Sequence, residues 1–384
     1  MNDKPVKIFV DAHILDKGYH GTHTFVKELY TELLGRYPWL DIYFGTYDPT
    51  LLRSIFPTAA ADHILPYKKG RPTFVRFLLD IPAYIRSYRF DYAHFQYIGV
   101  QWPTSCVSIV TLHDVLYKDY PDSFPVAYRL IRKVLFGNSI RKADIKTTVS
   151  LYSRERISLH YRIPGEEIHV IPNSMDGSLE GNMLSREDAA ARIRAKYGVE
   201  NFMLYVSRME PRKNHLLLLE TYLSLELYKK GIPLVFIGEA SIRIPGLERL
   251  MKGMSPEQRS AVHWIRQVSP EDLSAFYRSC RLFIYPSKAE GFGIPPLEAA
   301  ICRAPVLCSR ETAMESYGFF DPYTFDPGSA VELEQKLMEM ILRPPGAEFL
   351  DTVYEKVVRL YSREKSAAAF YSLISQREQV WDYA

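Results

Sequence analysis

Short apolar runs alternate with longer amphipathic stretches along most of the chain. In the first half, Val6–Val10, Asp41–Phe44, Tyr92–Phe95, Val107–Thr111 and Thr147–Val149 read as strands. Between them, Thr24–Arg36, Thr73–Tyr88 and Val126–Lys142 read as helices. The runs lack a strict apolar–polar alternation, so they fit strands covered on both faces, as in a parallel sheet with crossover helices. The pattern breaks after Ile171, where NSMDGSLEGNMLSRED is rich in Asn, Ser and Gly and suits a linker. It restarts with Phe202–Val206, Leu234–Ile237, Val262–Ile265, Leu282–Tyr285 and Val306–Cys308. The expectation is an α/β protein with two doubly wound halves.

A length of 384 residues is consistent with two such halves. The chain is 47% hydrophobic and 24% charged, the balance of an ordinary globular protein, and its net charge is +3. The distribution of that charge is more telling. Between Tyr128 and Arg162, nine cations (Arg129, Arg132, Lys133, Arg141, Lys142, Lys146, Arg154, Arg156 and Arg162) face only Asp144 and Glu155. Between Tyr67 and Tyr92, Lys68, Lys69, Arg71, Arg76, Arg86 and Arg89 are mixed with aromatic and aliphatic residues. Solvated helix faces would account for any one of these charges. The patch as a whole fits an anionic membrane surface or a phosphorylated acceptor, and no nucleic-acid module is recognisable. Four scattered cysteines without Cys-x2-Cys spacing argue against a zinc site or a disulfide framework. The N-terminus lacks a basic-then-apolar leader and no apolar run is long enough to span a bilayer. The expected location is therefore cytoplasmic, peripheral at the inner face of the membrane.

The densest chemistry lies in YPSKAEGFGIPPLEAAICRAP, Tyr285 to Pro305. A strand runs into a Glu-Gly-Phe-Gly turn at Glu290, and a helix is expected from Pro295 and Pro296, with Glu298 in its first turn. Gly291 and Gly293 permit positive φ and close approach of a ligand to bare backbone. Proline suits an early helical position, and the N–H groups of a helix N-terminus favour anions. Two carboxylates beside such a site suit hydroxyl groups, so phosphate and polyol together suggest a nucleotide sugar. Upstream, NFMLYVSRMEPRKNHLLLLETYLSL carries Arg208, Pro211, Arg212 and Lys213 in a strand-to-helix loop. There cations meet a diphosphate at the carboxyl edge of a parallel sheet; a solvated basic turn is the plainer alternative. A Gly-x-Gly-x-x-Gly dinucleotide fingerprint is missing, because EGFGIPP lacks the third glycine.

SRMEPRKN (Ser207–Asn214) and EGFGIPPLEA (Glu290–Ala299) together resemble glycosyltransferase family 4, retaining enzymes of the GT-B fold. VTLHDV, TVSLYSRERI, IPNSMD, VFIG and SPEDLSAFYRSCRLFIYPS follow in the order the family shows, more strongly in the second half than in the first. The resemblance implies two Rossmann-like doubly wound domains facing a central cleft. An acceptor-binding domain would span 1–178 and a nucleotide-sugar-binding domain 179–361, with a C-terminal helix over 362–384 crossing back to the first. It implies that Arg208 and Lys213 stabilise the donor diphosphate, that Glu290 contacts the donor sugar, and that Glu298 holds the ribose hydroxyls. Gly291, Phe292, Gly293 and Ile294 form the donor-side turn. Helix capping is the alternative for Glu298.

His113, after the strand Val107–Thr111, is implied to lie near the reacting sugar carbon, and Asp114 either joins it or caps the next turn. GYHGTH (Gly18–His23) occupies the position of a glycine-rich loop, with Gly21 as the useful residue. The chain departs from the family at Arg303, where glycine is usual, and at Met314, where proline is common. No Asp-x-Asp pair occurs to hold a metal, so metal-independent transfer is expected, with no cofactor besides the nucleotide-sugar donor. GDP-mannose is the first assignment of that donor, and the acceptor is a glycan or lipid-linked glycan. A nucleotide-sugar 2-epimerase and a catalytically silent glycan-binding relative remain open alternatives.

Overall fold

The computed structural model describes residues 5–16, 21–175 and 184–381, with side chains up to residue 375. The chain divides into two compact units, one formed by 1–174 with 361–384 and the other by 175–360. The linker stretch 176–183 and Gly18 to His20 of the first loop lie outside the described residues.

The first unit is built on a seven-stranded parallel sheet in the order β3-β2-β1-β4-β5-β6-β7. Its strands are β1 Val6–Asp11, β2 Leu40–Thr46, β3 Ile64–Pro66, β4 Tyr92–Gln96, β5 Val107–Thr111, β6 Ile145–Thr148 and β7 Ile168–Val170. The second unit carries six parallel strands in the order β10-β9-β8-β11-β12-β13. These are β8 Met203–Val206, β9 Leu234–Ile237, β10 Val262–Ile265, β11 Leu282–Tyr285, β12 Val306–Ser309 and β13 Thr324–Phe325. In both sheets the order reverses beside the first strand, between β1 and β4 and between β8 and β11. Chains leaving those strands diverge to opposite faces and open a crevice at the carboxyl ends, which is where ligands bind in such sheets.

The central strands are buried because they are apolar on both faces: every residue of LVFI in β9 and LFIY in β11 is buried. Sequence reading places these strands well and misses β3, β7 and β13, which are only two or three residues long. One expected helix is two. Thr73–Tyr88 resolves into Val75–Leu78 and Asp80–Tyr88, broken at Leu79. Pro82 has no N–H to return to the carbonyl of Leu78, so the ladder cannot pass through that turn.

The helix Arg363–Trp381 belongs to the first unit. It buries Ala367, Phe370 and Ile374. Ser366 donates to the Pro172 carbonyl at 2.9 Å, and the Tyr92 hydroxyl donates to the Ile374 carbonyl at 3.0 Å. Arg363 pairs with the fully buried Glu28 on the helix Gly21–Arg36. No helix among the described residues is long and apolar enough to cross a membrane.

Candidate functional site

At the switch point of the second sheet, the loop after β8 and the loop after β11 meet through charged side chains. Lys213 Nζ lies 2.5 Å from Glu290 Oε1. The same oxygen accepts from Ser287 Oγ at 2.6 Å and from the Tyr285 hydroxyl at 2.9 Å. Arg212 Nη1 donates to Glu290 Oε2 at 3.1 Å and to the Ala289 carbonyl at 2.7 Å. Its other terminal nitrogen meets Glu210 at 2.8 Å, and Glu210 in turn meets Arg208 at 3.2 Å. Charges therefore alternate from Arg208 through Glu210, Arg212 and Glu290 to Lys213, three cations to two carboxylates. The cluster carries one excess positive charge and suits a polyanion. Arg208, paired with Glu210, is half exposed at its side chain and is the most exposed cation of this cluster.

Burial sets the character of the inner pair. Glu290 and Lys213 are both buried. Burial alone would raise the Glu290 pKa, but Lys213, Arg212 and the donated hydrogen bonds outweigh it and hold the carboxyl down at about 2. Burial is the largest influence on Lys213 and lowers it to about 8, with Glu290 opposing that shift. Lys213 also donates to the Tyr285 hydroxyl at 2.9 Å. Among the described residues two of its three N–H donors are thus used, leaving one for a ligand.

The turn after Glu290 bears out one reading and corrects two: Gly293 takes the positive φ that glycine permits, at 91°. A Cβ on Gly293 would stand 3.0 Å from Met314 Cγ, so Met314, in place of the family's proline, packs directly under the turn. The helix begins at Ile294, not at the prolines, with Gly293 as its cap. Pro295 and Pro296 occupy the second and third positions and bring no N–H, which leaves Gly293 and Ile294 as the donors of this terminus. Glu298 is the fifth residue, beyond the first turn, so the helix-dipole explanation for it weakens. It accepts from the buried Tyr277 hydroxyl at 2.8 Å. Phe292 is buried, and its carbonyl accepts from the Tyr317 hydroxyl at 2.5 Å.

Arg303 adopts the left-handed conformation, φ 55°, that a glycine would take there. Its side chain compensates by reaching Asp351 at 2.5 Å and lying over the Tyr354 ring. Sequence reasoning also missed supporting residues. Glu210 and Arg212 stood in the quoted loop, and their alternation with Arg208 and Lys213 was the available signal. Nothing local marked Tyr285, Ser287 or Thr312, whose hydroxyl accepts the Glu290 N–H at 2.9 Å. Gly238, at φ 147°, brings the end of β9 so close to Ser207 that a Cβ would sit 2.1 Å from its carbonyl oxygen.

The corresponding edge of the first sheet is different. Gly21 opens the helix Gly21–Arg36. His113, just past β5, is buried and donates from Nε2 to Gln96 Oε1 at 2.8 Å, with the Phe25 ring edge-on at 5.0 Å. Asp114 caps the next turn, accepting from the Leu116 N–H at 3.1 Å. Neighbouring His94 is neutral, because burial pushes its pKa down to about 3. At the end of β1, Asp11 binds Arg76 at 2.9 Å and accepts from the Tyr67 hydroxyl at 2.8 Å.

Two family models cover most of the chain. "Glycosyltransferase Family 4" matches residues 19–178 and "Glycosyl transferases group 1" matches residues 187–349. The chain belongs to glycosyltransferase family 4. O-antigen chain mannosyltransferase B of Escherichia coli is 31% identical over 215 residues, 54% of this chain and 54% of that protein. The chain spans about half the length of the curated relatives it matches. Sucrose-phosphate synthase from Thermosynechococcus elongatus superposes with a TM-score of 0.75 at 20% identity, covering 98% of this chain and 100% of that one. Anabaena Alr3699/HepE, solved in complex with UDP-glucose, gives 0.71 at 15% identity over 96% and 99%. These likenesses establish the GT-B fold, two Rossmann-like units on parallel sheets.

Proposed function

We propose that the chain is a retaining, metal-independent glycosyltransferase. It transfers a hexose, mannose in the first instance, from a nucleotide sugar to a glycan or lipid-linked acceptor during synthesis of a surface polysaccharide. The observation that carries this reading is the Arg208–Glu210–Arg212–Glu290–Lys213 chain at the second switch point, one positive charge in excess and followed by the Gly293-capped helix that bears Glu298. Lys213, Arg208 and the N–H groups of Gly293 and Ile294 hold the diphosphate, and Glu298 takes the ribose hydroxyls. Glu290 fixes Lys213 through Oε1, which takes three hydrogen bonds, and offers the sugar its Oε2 edge beside Arg212. The mannosyltransferase relatives of O-antigen chains support mannose and surface glycans, and the HepE complex supports a nucleotide-sugar donor.

In this scheme the bond between the anomeric carbon and the donor phosphate breaks as the acceptor oxygen bonds to the same face. The acceptor proton passes to the departing phosphate oxygen. Positive groups near that oxygen lower the barrier because charge develops there. His113 contacts the sugar or the acceptor. The work takes place on the cytoplasmic side, at an anionic membrane surface.

Thermal-shift screening of GDP-mannose and UDP-glucose tests donor binding: a ligand at 100 times its Kd stabilises by about 2.7 kcal/mol. GDP release that requires acceptor and persists in EDTA supports transfer. Conversion of the donor sugar without acceptor indicates the epimerase instead. Absence of stabilisation by any nucleotide sugar contradicts the whole reading. NMR of the product anomer checks retention, and an inverted product excludes the same-face scheme.

A further inference from the structure

Thr312 holds a backbone conformation that its own side chain disfavours. Its φ is 58°, and among the described non-glycine residues at positive φ it alone is β-branched. Arg89, Arg162 and Asn214 take that conformation where a helix or helical turn ends, its ordinary use. Thr312 instead opens a helical turn, Thr312–Ser316, just past β12. A β-branched residue in the left-handed region is an outlier, and it persists only where the surrounding structure over-determines it.

The surroundings here are the turn that follows Glu290. β12 lies beside β11, so the segments leaving the two strands meet. The Thr312 hydroxyl accepts the Glu290 N–H at 2.9 Å and donates to the Glu311 carbonyl at 2.7 Å. The Ala313 N–H reaches the Glu290 carbonyl at 3.4 Å. Met314 packs beneath Gly293, and the Tyr317 hydroxyl donates to the Phe292 carbonyl at 2.5 Å. The segment after β12 thus grips both backbone groups of Glu290 and two further residues of its turn. Thr312 is buried, so water does not compete for the bond to Glu290. Glycine would take φ 58° without strain but bring no hydroxyl. The second branch of threonine adds strain, and it also restricts χ1 and so fixes the direction of the hydroxyl.

We propose that Thr312 is a positioning residue for the donor site. Its hydroxyl, aimed by a strained backbone, holds the Glu290–Gly293 turn in place. The Oε2 edge of Glu290 and the N–H groups of Gly293 and Ile294 are thereby set for the donor before it binds. The role in donor binding rests on the reading of this turn as the donor site; the hold on the turn itself does not.

The test compares Thr312→Ser, Thr312→Val and Thr312→Gly in the full chain, well below their melting temperatures. Hydrogen exchange of the turn and calorimetric affinity for GDP and UDP are measured. Serine keeps the hydroxyl and should hold both readouts within about twofold of wild type. Valine keeps the branched shape without the hydroxyl, and glycine removes both strain and hydroxyl. Each should speed exchange at the Glu290 amide about tenfold or more and weaken nucleotide binding about tenfold. Melting temperature should follow another order, with valine lowest because it keeps the strain and loses the bond. Unchanged exchange at Glu290 in the valine and glycine variants overturns the proposal. So does nucleotide affinity that is equal in all four proteins, or that follows melting temperature rather than the hydroxyl. Faster exchange in the valine and glycine variants of a protein that no nucleotide binds supports the hold on the turn and counts against the enzymatic reading.

Discussion

The two sheets share one strand order over six strands, yet their switch points are furnished in opposite ways. The second gathers five charged groups and binds a buried carboxylate from four sides. The first presents His113 against a neutral amide and keeps the Asp11–Arg76 ion pair sealed from water. Topology supplies a crevice in both units; side-chain charge decides what each can hold. The excess positive charge of the second suits a polyanion. The first suits neutral hydroxyl chemistry, which is what a sugar or an acceptor presents.

The largest expected effects come from breaking the charged side of this contrast. Lys213→Ala should lower kcat/KM by about 100- to 1000-fold, the usual loss when one group stabilising developing charge is removed. Glu290→Gln should act on the same unit, so the double variant should lose much less than the product of the two, as steady-state kinetics on all four proteins would reveal. Arg212 touches both carboxylates of the chain and, in the proposed scheme, is not a ligand of the diphosphate. Arg212→Ala should therefore cost about 3–5 kcal/mol of stability by uncovering Glu290, and Arg212→Lys should restore only part of it, as read by urea unfolding.

Next in size is the response to pH. Lys213 loses its charge as pH rises through about 8, so donor kcat/KM should fall there, and Lys213→Arg should flatten that limb. Stability runs by a different rule. Because the folded pKa of Lys213 lies below its unfolded value of 10.5, its contribution rises with pH between about 8 and 10.5. Glu290, lowered from 4.5 to about 2, contributes fully above 4.5 and loses that contribution as pH falls through about 2. Melting temperatures across pH would show both windows in wild type, with the acid one diminished in Glu290→Gln.

On the neutral side, Gln96→Leu strands the His113 Nε2–H and should destabilise by about 1–3 kcal/mol while leaving donor KM unchanged. The smallest effect is expected at Arg303. Replacing it by Gly relieves a left-handed backbone worth about 1–2 kcal/mol, but forfeits the Asp351 contact and the cover over Tyr354, so the net change should stay within about 1 kcal/mol.

The contrast was partly legible in the sequence. Apolar runs such as LVFI and LFIY announced buried parallel strands, and charged residues punctuating SRMEPRKN and EGFG announced the second switch point. The Lys213–Glu290 pairing was not legible, because 77 residues separate the partners and only the β8–β11 neighbourhood joins them. The helix start at Ile294 escaped for a local reason: two prolines drew the boundary to themselves, whereas Gly293, at positive φ, sets it one residue earlier. Gln96 escaped because its function depends wholly on the strand beside it.

Calorimetric titration of GDP and GMP into wild type and Lys213→Ala addresses the charged switch point most directly. Wild type should prefer GDP over GMP, and Lys213→Ala should lose most of that preference while its affinity for GMP barely moves. Undiminished discrimination by the variant would mean that the terminal phosphate rests elsewhere, and that the charged chain from Arg208 to Lys213 serves the fold alone.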